Sequence, residues 1–172
     1  TVTGVVLTGA DAGNYTLTPT TTADITPRNL TVTATGIHIV YDGTTVATAS
    51  LTTDALTGDS VTVAATAFFA DKNVGAGKVV SVNGISISGA DAANYTLLNT
   101  TASTVADITP RNLTVTATGI DKVYDGNTNA TVTLNTDAVA GDSIIAAYTS
   151  ASFADKNVGI GKVVSVSGIS IT

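Results

Sequence analysis

His38 is the sole histidine and cysteine is absent, so neither an imidazole–thiolate metal centre nor a hydrolytic triad can be assembled from the residues present. In a second copy of the surrounding sequence its place is taken by Asp121, so the ring is no part of a repeated design and reads as a solvated or edge residue. All 13 acidic residues are Asp. Carboxylates suit hard cations, which raises calcium as a candidate at Asp11, Asp42, Asp54, Asp59, Asp71, Asp91, Asp125, Asp137, Asp142 and Asp155. These residues are scattered over turns, however, with no D-x-D-x-D-G loop and no calcium-binding nonapeptide. An Asp that bonds its own backbone in a turn explains them without an ion.

Lys72, Lys78, Lys156 and Lys162 stand in matched positions near Asn73 and Asn157. Buried Lys and Asn beside an acid form isopeptide cross-links in some surface proteins, but lysines set among turn glycines read first as exposed charges that discourage edge pairing. The N-x-[ST] sequons at Asn14, Asn29, Asn94, Asn99, Asn112 and Asn129 are glycan acceptors in a secreted chain, although Thr-rich composition generates such triplets by chance. TVT and TAT place hydroxyls about 6.7 Å apart on one strand face. Ice-binding solenoids stack such pairs in register, whereas here they come once per long period. No catalytic, cofactor-binding or metal-ligating residue is assigned, no cofactor is expected, and the chain is not expected to be an enzyme.

The elements that carry these residues are copied. ADITPRNLTVTATGI runs from Ala23 to Ile37 and again from Ala106 to Ile120, a shift of 106 − 23 = 83 positions. FADKNVG recurs at Phe69–Gly75 and Phe153–Gly159, and GADAGNYTL at Gly9–Leu17 returns as GADAANYTL at Gly89–Leu97. The offset drifts from 80 at Gly9/Gly89 to 84 at Asp71/Asp155, which marks small insertions in loops or strand ends. A period of about 80 residues exceeds one coil of a solenoid, about 20 to 45 residues, and predicts a small domain per repeat.

Composition predicts all-β domains. Glu, Gln and Met are absent while Thr, Val, Ala, Gly and Asp dominate, which favours strands and turns over helices. LTVTAT at Leu30–Thr35 alternates apolar and hydroxyl residues. IHIVY follows, and Asp42-Gly43 predicts a type I′ hairpin into TTVATAS. After the loop TDALTGDS come a strand over Val61–Phe69 and the turn DKNVGAG, where Gly75 and Gly77 permit a tight reversal. In the next strand Val80 and Val82 share a face that Ile85 and Ile87 continue at odd positions, so a bulge is expected at Asn83-Gly84. GADAAN turns into YTL, and STVADI ends the period. These segments predict tandem small immunoglobulin-like β-sandwich domains of about seven strands with an 83-residue repeat. Domains this small bury about 60 to 65% of their unfolded surface, so contacts between neighbours at the ITPRN junctions should matter. Pro27 and Pro110 imply short, stiff linkage there.

The motifs VYDG (Val40–Gly43, Val123–Gly126), GDS, FADKNVGxGK and VSVxGISISGADAxNYTL followed by ADITPRNLTV resemble, in order and over essentially the whole chain, the YDG-type repeat of very large bacterial surface adhesins. Those proteins are similar to filamentous haemagglutinins exported by two-partner secretion. The resemblance implies a β-rich extracellular repeat in a stalk or fibre at the bacterial cell surface, with a motif that is a hairpin rather than a site.

The domain frame expected is 1–26 as the last strands of a preceding repeat, 27–109 as a complete repeat and 110–172 as a following repeat lacking its last strands. Three origins fit: a cut through a longer array, a permuted frame beginning near Thr1, or an N-terminal segment that completes a neighbouring molecule by strand addition. The expected function is a structural stalk or fibre repeat giving length and spacing. Its partners would be adjacent repeats or copies of itself head to tail; the alternative is an adhesive module for a glycan or a host surface protein. A net charge of −6 with no basic stripe argues against nucleic acid. No apolar run reaches the roughly 20 residues of a membrane-spanning helix, and the aromatic girdles of a membrane barrel are missing. Zero cysteine with Thr, Gly and Asp-rich repeats fits a secreted location.

Overall fold

Alternation of Val and Ala with Thr turns one face of each strand inward, and the sheet order follows from pairing those faces over a common core. A computed structural model describes residues 2–18 and 20–172. The first unit contains β1 (Arg28–Leu30), β2 (Val32–Ile37), β3 (Ile39–Val40), β4 (Val46–Thr53), β5 (Thr62–Phe69), β6 (Gly75–Ser88), a 3-10 turn at Ala92–Asn94, β7 (Tyr95–Leu97) and β8 (Thr101–Thr109). Six strands form one sheet in the order β2-β4-β5-β6-β8-β3, and β1 pairs with β7 in parallel beside it. The result is an all-β sandwich curled almost into a barrel. Its core is aliphatic as composition requires: Val32, Ala47, Val80, Val82, Ile85, Ala106 and Ile108 are buried with Phe69.

Closure depends on a glycine. The β2 edge folds onto β8, where the Gly36 amide donates to Thr104 Oγ1 at 3.1 Å. A Cβ at position 36 would lie 2.4 Å from the Val105 carbonyl oxygen, so only hydrogen fits. The expected bulge is present. Ala64 faces Ser86 and Thr66 faces Asn83, leaving two residues of β6 opposite one of β5, and Gly84 holds φ at 65°. The LTVTAT strand breaks at Thr31 because its amide turns to Asp54 Oδ1 at 2.8 Å.

Two expected turns differ from the structure. Asp42-Gly43 does not close a hairpin: Gly43 has φ 81°, but among the described residues no non-glycine residue, Asp42 included, has positive φ, which a type I′ turn demands at both centres. The preceding strand instead pairs in parallel with β8, Ile39 to Ile108 and Val40 to Thr109. Asp42 Oδ1 then accepts from the Thr44 amide at 2.8 Å and from its hydroxyl at 2.9 Å, an Asx turn that redirects the chain. Gly75 and Gly77 lie inside β6 rather than in a reversal. Gly77, φ 60°, accompanies a register shift against β8 between Gly75 and Lys78.

The second unit repeats part of this plan with β9 (Val115–Ile120), β10 (Thr131–Thr136), β11 (Ala146–Ala147), β12 (Ser150–Phe153), β13 (Val164–Ser167) and β14 (Ser170–Ile171). Antiparallel pairs β9–β10, β12–β13 and β11–β14 form. Among the described residues no strand stands beside β9 and β13 where β8 stands in the first unit. The cost shows in the core: Ile85 is 3% exposed but its counterpart Ile169 is 45% exposed, and Val164 and Val166 are half-buried where Val80 and Val82 are buried. The expected strands within the first 26 residues are also not formed among the described residues, because a lone strand has no ladder to join. That segment keeps the local turn at Ala12–Asn14.

Candidate functional site

Residues of the YDG segment meet the second unit. The Tyr41 hydroxyl donates to both carboxylate oxygens of Asp142 at 2.8 Å, and Lys72 Nζ reaches Asp142 Oδ1 at 2.7 Å. The ammonium also lies 5.8 Å from the centroid of the Tyr41 ring, within reach of a cation–π attraction. Beside them a Cβ at Gly43 would fall 2.6 Å from Val139 Cγ1. Tyr, Asp and Gly thus have three tasks in one joint: a hydroxyl to the neighbour, a turn that presents it, and a bare backbone against which Val139 packs.

Electrostatics at the joint are mutual. The Lys72 hydrogen bond, followed by the Tyr41 hydroxyl, holds the Asp142 carboxyl below the usual carboxylate range. Asp142 and then Tyr41 raise Lys72 above its ordinary value. The Lys72 side chain is 42% exposed, and exposed ion pairs contribute little alone, so the fit of Gly43 to Val139 carries the contact as much as charge does. In the first unit the equivalent loop is held from within. Tyr95 donates to Asp59 Oδ2 and accepts from the Leu56 amide at 2.9 Å, and the Asp59 hydrogen bond pushes the Tyr95 phenol up.

A groove of about 620 Å³ opens in the second unit between β9 and the turn leading to β13. Gly119, Ile120, Tyr124, Phe153, Ile160 and Val164 line it. Gly119 is the counterpart of Gly36, and a Cβ there would meet only Val164 Cγ2 at 3.5 Å.

The remaining candidates have structural partners. His38 Nδ1 accepts from the Asp107 amide at 2.8 Å and lies 3.3 Å from Asp107 Oδ2; a nitrogen that accepts the amide carries no proton for the carboxylate, so the hydrogen bond takes precedence over an ion pair. Among the described residues no three His, Cys, Asp or Glu side chains are grouped to hold a metal. Asp71, Asp125 and Asp155 each accept the amide two residues on. Asp54 and Asp137 cap Thr31 and Thr114 in the same way in each unit, and Asp91 accepts from the Ser60 amide.

Lys78 and Lys162 are not exposed gatekeepers. Their side chains are 13% and 18% exposed, and each ammonium clamps its own turn. Lys78 binds Asp71 and the Asn73 carbonyl at 2.7 Å, and Lys162 binds Asp155 and the Asn157 carbonyl at 2.7 Å. Both meet backbone of the asparagine rather than its carboxamide. Those hydrogen bonds and the turn amides hold Asp71 and Asp155 below the usual carboxylate range. Of the sequons, Asn14, Asn29, Asn94, Asn112 and Asn129 are exposed. Asn99 instead uses its carboxamide as a strand substitute: Oδ1 accepts from Val32 N and Nδ2 donates to Val32 O, both at 2.9 Å.

The family model for the YDG domain matches residues 26–104 and again residues 109–172. The chain belongs to the YDG-domain family. No curated protein and no solved structure matches it. No helix among the described residues is long and apolar enough to cross a membrane. Sequence reasoning found the YDG motif but missed its role as a joint. The available signal was its recurrence in step with the GDS loop, Tyr41 with Asp59 and Tyr124 with Asp142, at one spacing of 83.

Proposed function

We propose that this YDG-domain chain is a spacer segment of a secreted bacterial adhesin or extracellular filament, exported by two-partner secretion and displayed at the cell surface. It works by length and spacing rather than by chemistry. The observation that supports this reading is the joint: Tyr41, Gly43 and Lys72 grip Val139 and Asp142 of the next unit, so the motif repeated in each unit serves to fix the next one. A repeat selected to display a ligand site would reserve its loops for that ligand. Here the loop 137–142 is engaged by the preceding unit instead.

Small-angle scattering of the dilute chain tests the reading. The expected outcome is an elongated particle with a narrow distribution of lengths. A compact particle, or a broad distribution of inter-unit angles, overturns it. Specific binding on a glycan array would favour the adhesive-module alternative.

A further inference from the structure

β3 is two residues long, and a side chain lengthens its hold on β8. Ile39 pairs with Ile108 and Val40 with Thr109, the Tyr41 amide donates to the Thr109 carbonyl at 2.9 Å, and the Thr109 hydroxyl donates to the Ile39 carbonyl at 3.2 Å. One residue earlier on β8 an imidazole continues the ladder: the Asp107 amide donates to His38 Nδ1 at 2.8 Å. His38 lies at the break between β2 and β3, and its ring does there what a strand carbonyl would do. That acceptor exists only in the neutral ring, with its proton on Nε2. Once the ring is protonated both nitrogens are donors, and Nδ1 no longer receives the amide. A different partner stands beside it. Asp107 Oδ2 lies 3.3 Å from Nδ1, while Oδ1 of the same carboxylate accepts from the Gly77 amide at 2.7 Å. We propose that His38 is a pH-operated tie between β3 and β8, accepting the Asp107 amide when neutral and donating to the Asp107 carboxylate when protonated, so that acid exchanges a strand rung for an ion pair.

The charged groups around the ring leave Asp107 as its partner. β2, β3, β4 and β5 carry no ionisable side chain, and β8 carries Asp107 alone. Lys78, the one charged residue of β6, is turned to Asp71. Beyond β3, Tyr41 donates to Asp142 and Asp42 accepts from Thr44; beyond β8, Arg111 reaches the Asp137 carbonyl at 3.4 Å. The His38 side chain is 66% exposed, so protons reach it without any opening of the fold. The ion pair gained is exposed and contributes little, whereas the amide given up leaves β8 with one bond fewer to the β3 side. The other β3 bonds involve no titratable group, so the strand stays seated and the change is local. The tie belongs to the first unit alone, since Asp121 occupies the corresponding place in the second.

Heteronuclear NMR of the full chain reads the tie directly, because an N–H···N hydrogen bond transmits a scalar coupling between the Asp107 amide nitrogen and His38 Nδ1. The coupling should be present at about pH 8 and absent at about pH 5, the span in which imidazoles titrate, and its loss should share the midpoint of the His38 ring signals. Protection of the Asp107 amide from hydrogen exchange, corrected for the intrinsic rate, should fall about three- to tenfold over the same span, while the Tyr41 amide keeps its protection. His38→Asn supplies a carboxamide oxygen that accepts the amide and does not titrate, and should hold Asp107 protection level with pH. His38→Ala should lose that protection at both ends. A coupling missing at both ends or kept at both, Asp107 protection that stays level in the parent chain, or an unchanged pH dependence in His38→Asn would overturn the proposal.

Discussion

Asp142 concentrates the chemistry of the joint in one carboxylate. Its folded-state pKa is depressed by Lys72 and Tyr41, so its contribution is present above the unfolded value, about 3.9, and is lost as pH falls through the lower folded value. Lys72 has the opposite sign: its raised pKa keeps its contribution complete below the unfolded value, about 10.4, until pH climbs through the folded one. The joint should therefore hold from about pH 5 to about pH 10 and loosen in acid below about pH 4. Asp142→Ala should remove the acid-dependent loosening and widen the inter-unit angle at neutral pH, with little lost from global stability because exposed ion pairs contribute little alone. Residual dipolar couplings or a pair of distance-reporting spin labels would check it; an unchanged angle in the variant would assign the joint to Gly43 and Val139 alone.

At the level of the strand, β8 closes the first unit over β2 and β6 while no described strand stands in that place in the second, and the same glycine reads the difference. Gly36→Val must displace the Val105 carbonyl, so overpacking should cost the first unit about 1–3 kcal/mol or more. Gly119→Val has space in this chain and should leave the isolated molecule's melting within about 0.5 kcal/mol. Equal destabilisation by the two variants in thermal denaturation would contradict the asymmetry. The strands themselves were legible in sequence because a period of two survives in LTVTAT and TVAATAF, and the bulge because the apolar set changes parity across Asn83-Gly84. The turns were less so. Asp42-Gly43 carries a hairpin composition, yet whether it closes a hairpin depends on where Ile39 and Val40 find a partner, and β8 lies about 70 residues away in sequence. The lysines were misread for a similar reason. Exposure of Lys78 is decided by β6 folding back over the Asp71 turn, a relation between segments that no local pattern states. The joint was legible only as a recurrence, since touching loops lie about 100 residues apart.

Taken whole, the molecule exposes 11711 Å², against about 7,700 Å² for a compact protein of its mass. Two linked units account for part of that excess, and the half-open second unit and the exposed N-terminal segment supply more. The two cores are unequal: eight buried residues cluster in the first, while Val132 and Ala151 are the buried apolar residues of the second. Unfolding at low concentration should accordingly proceed in two steps, the second unit first, seen as two calorimetric transitions or as early loss of amide protection in β9–β14. A single cooperative transition would mean that the joint couples the units more tightly than its exposed ion pair suggests.

The way β8 is held bears on load. Tension entering through Thr109 runs along that strand, which lies between β6 on one side and β3 on the other. Pulled lengthwise, its ladder bonds are sheared together instead of being unzipped one by one, and rupture then requires many to fail at once. In this respect the small first unit is built to resist being drawn out lengthwise along β8.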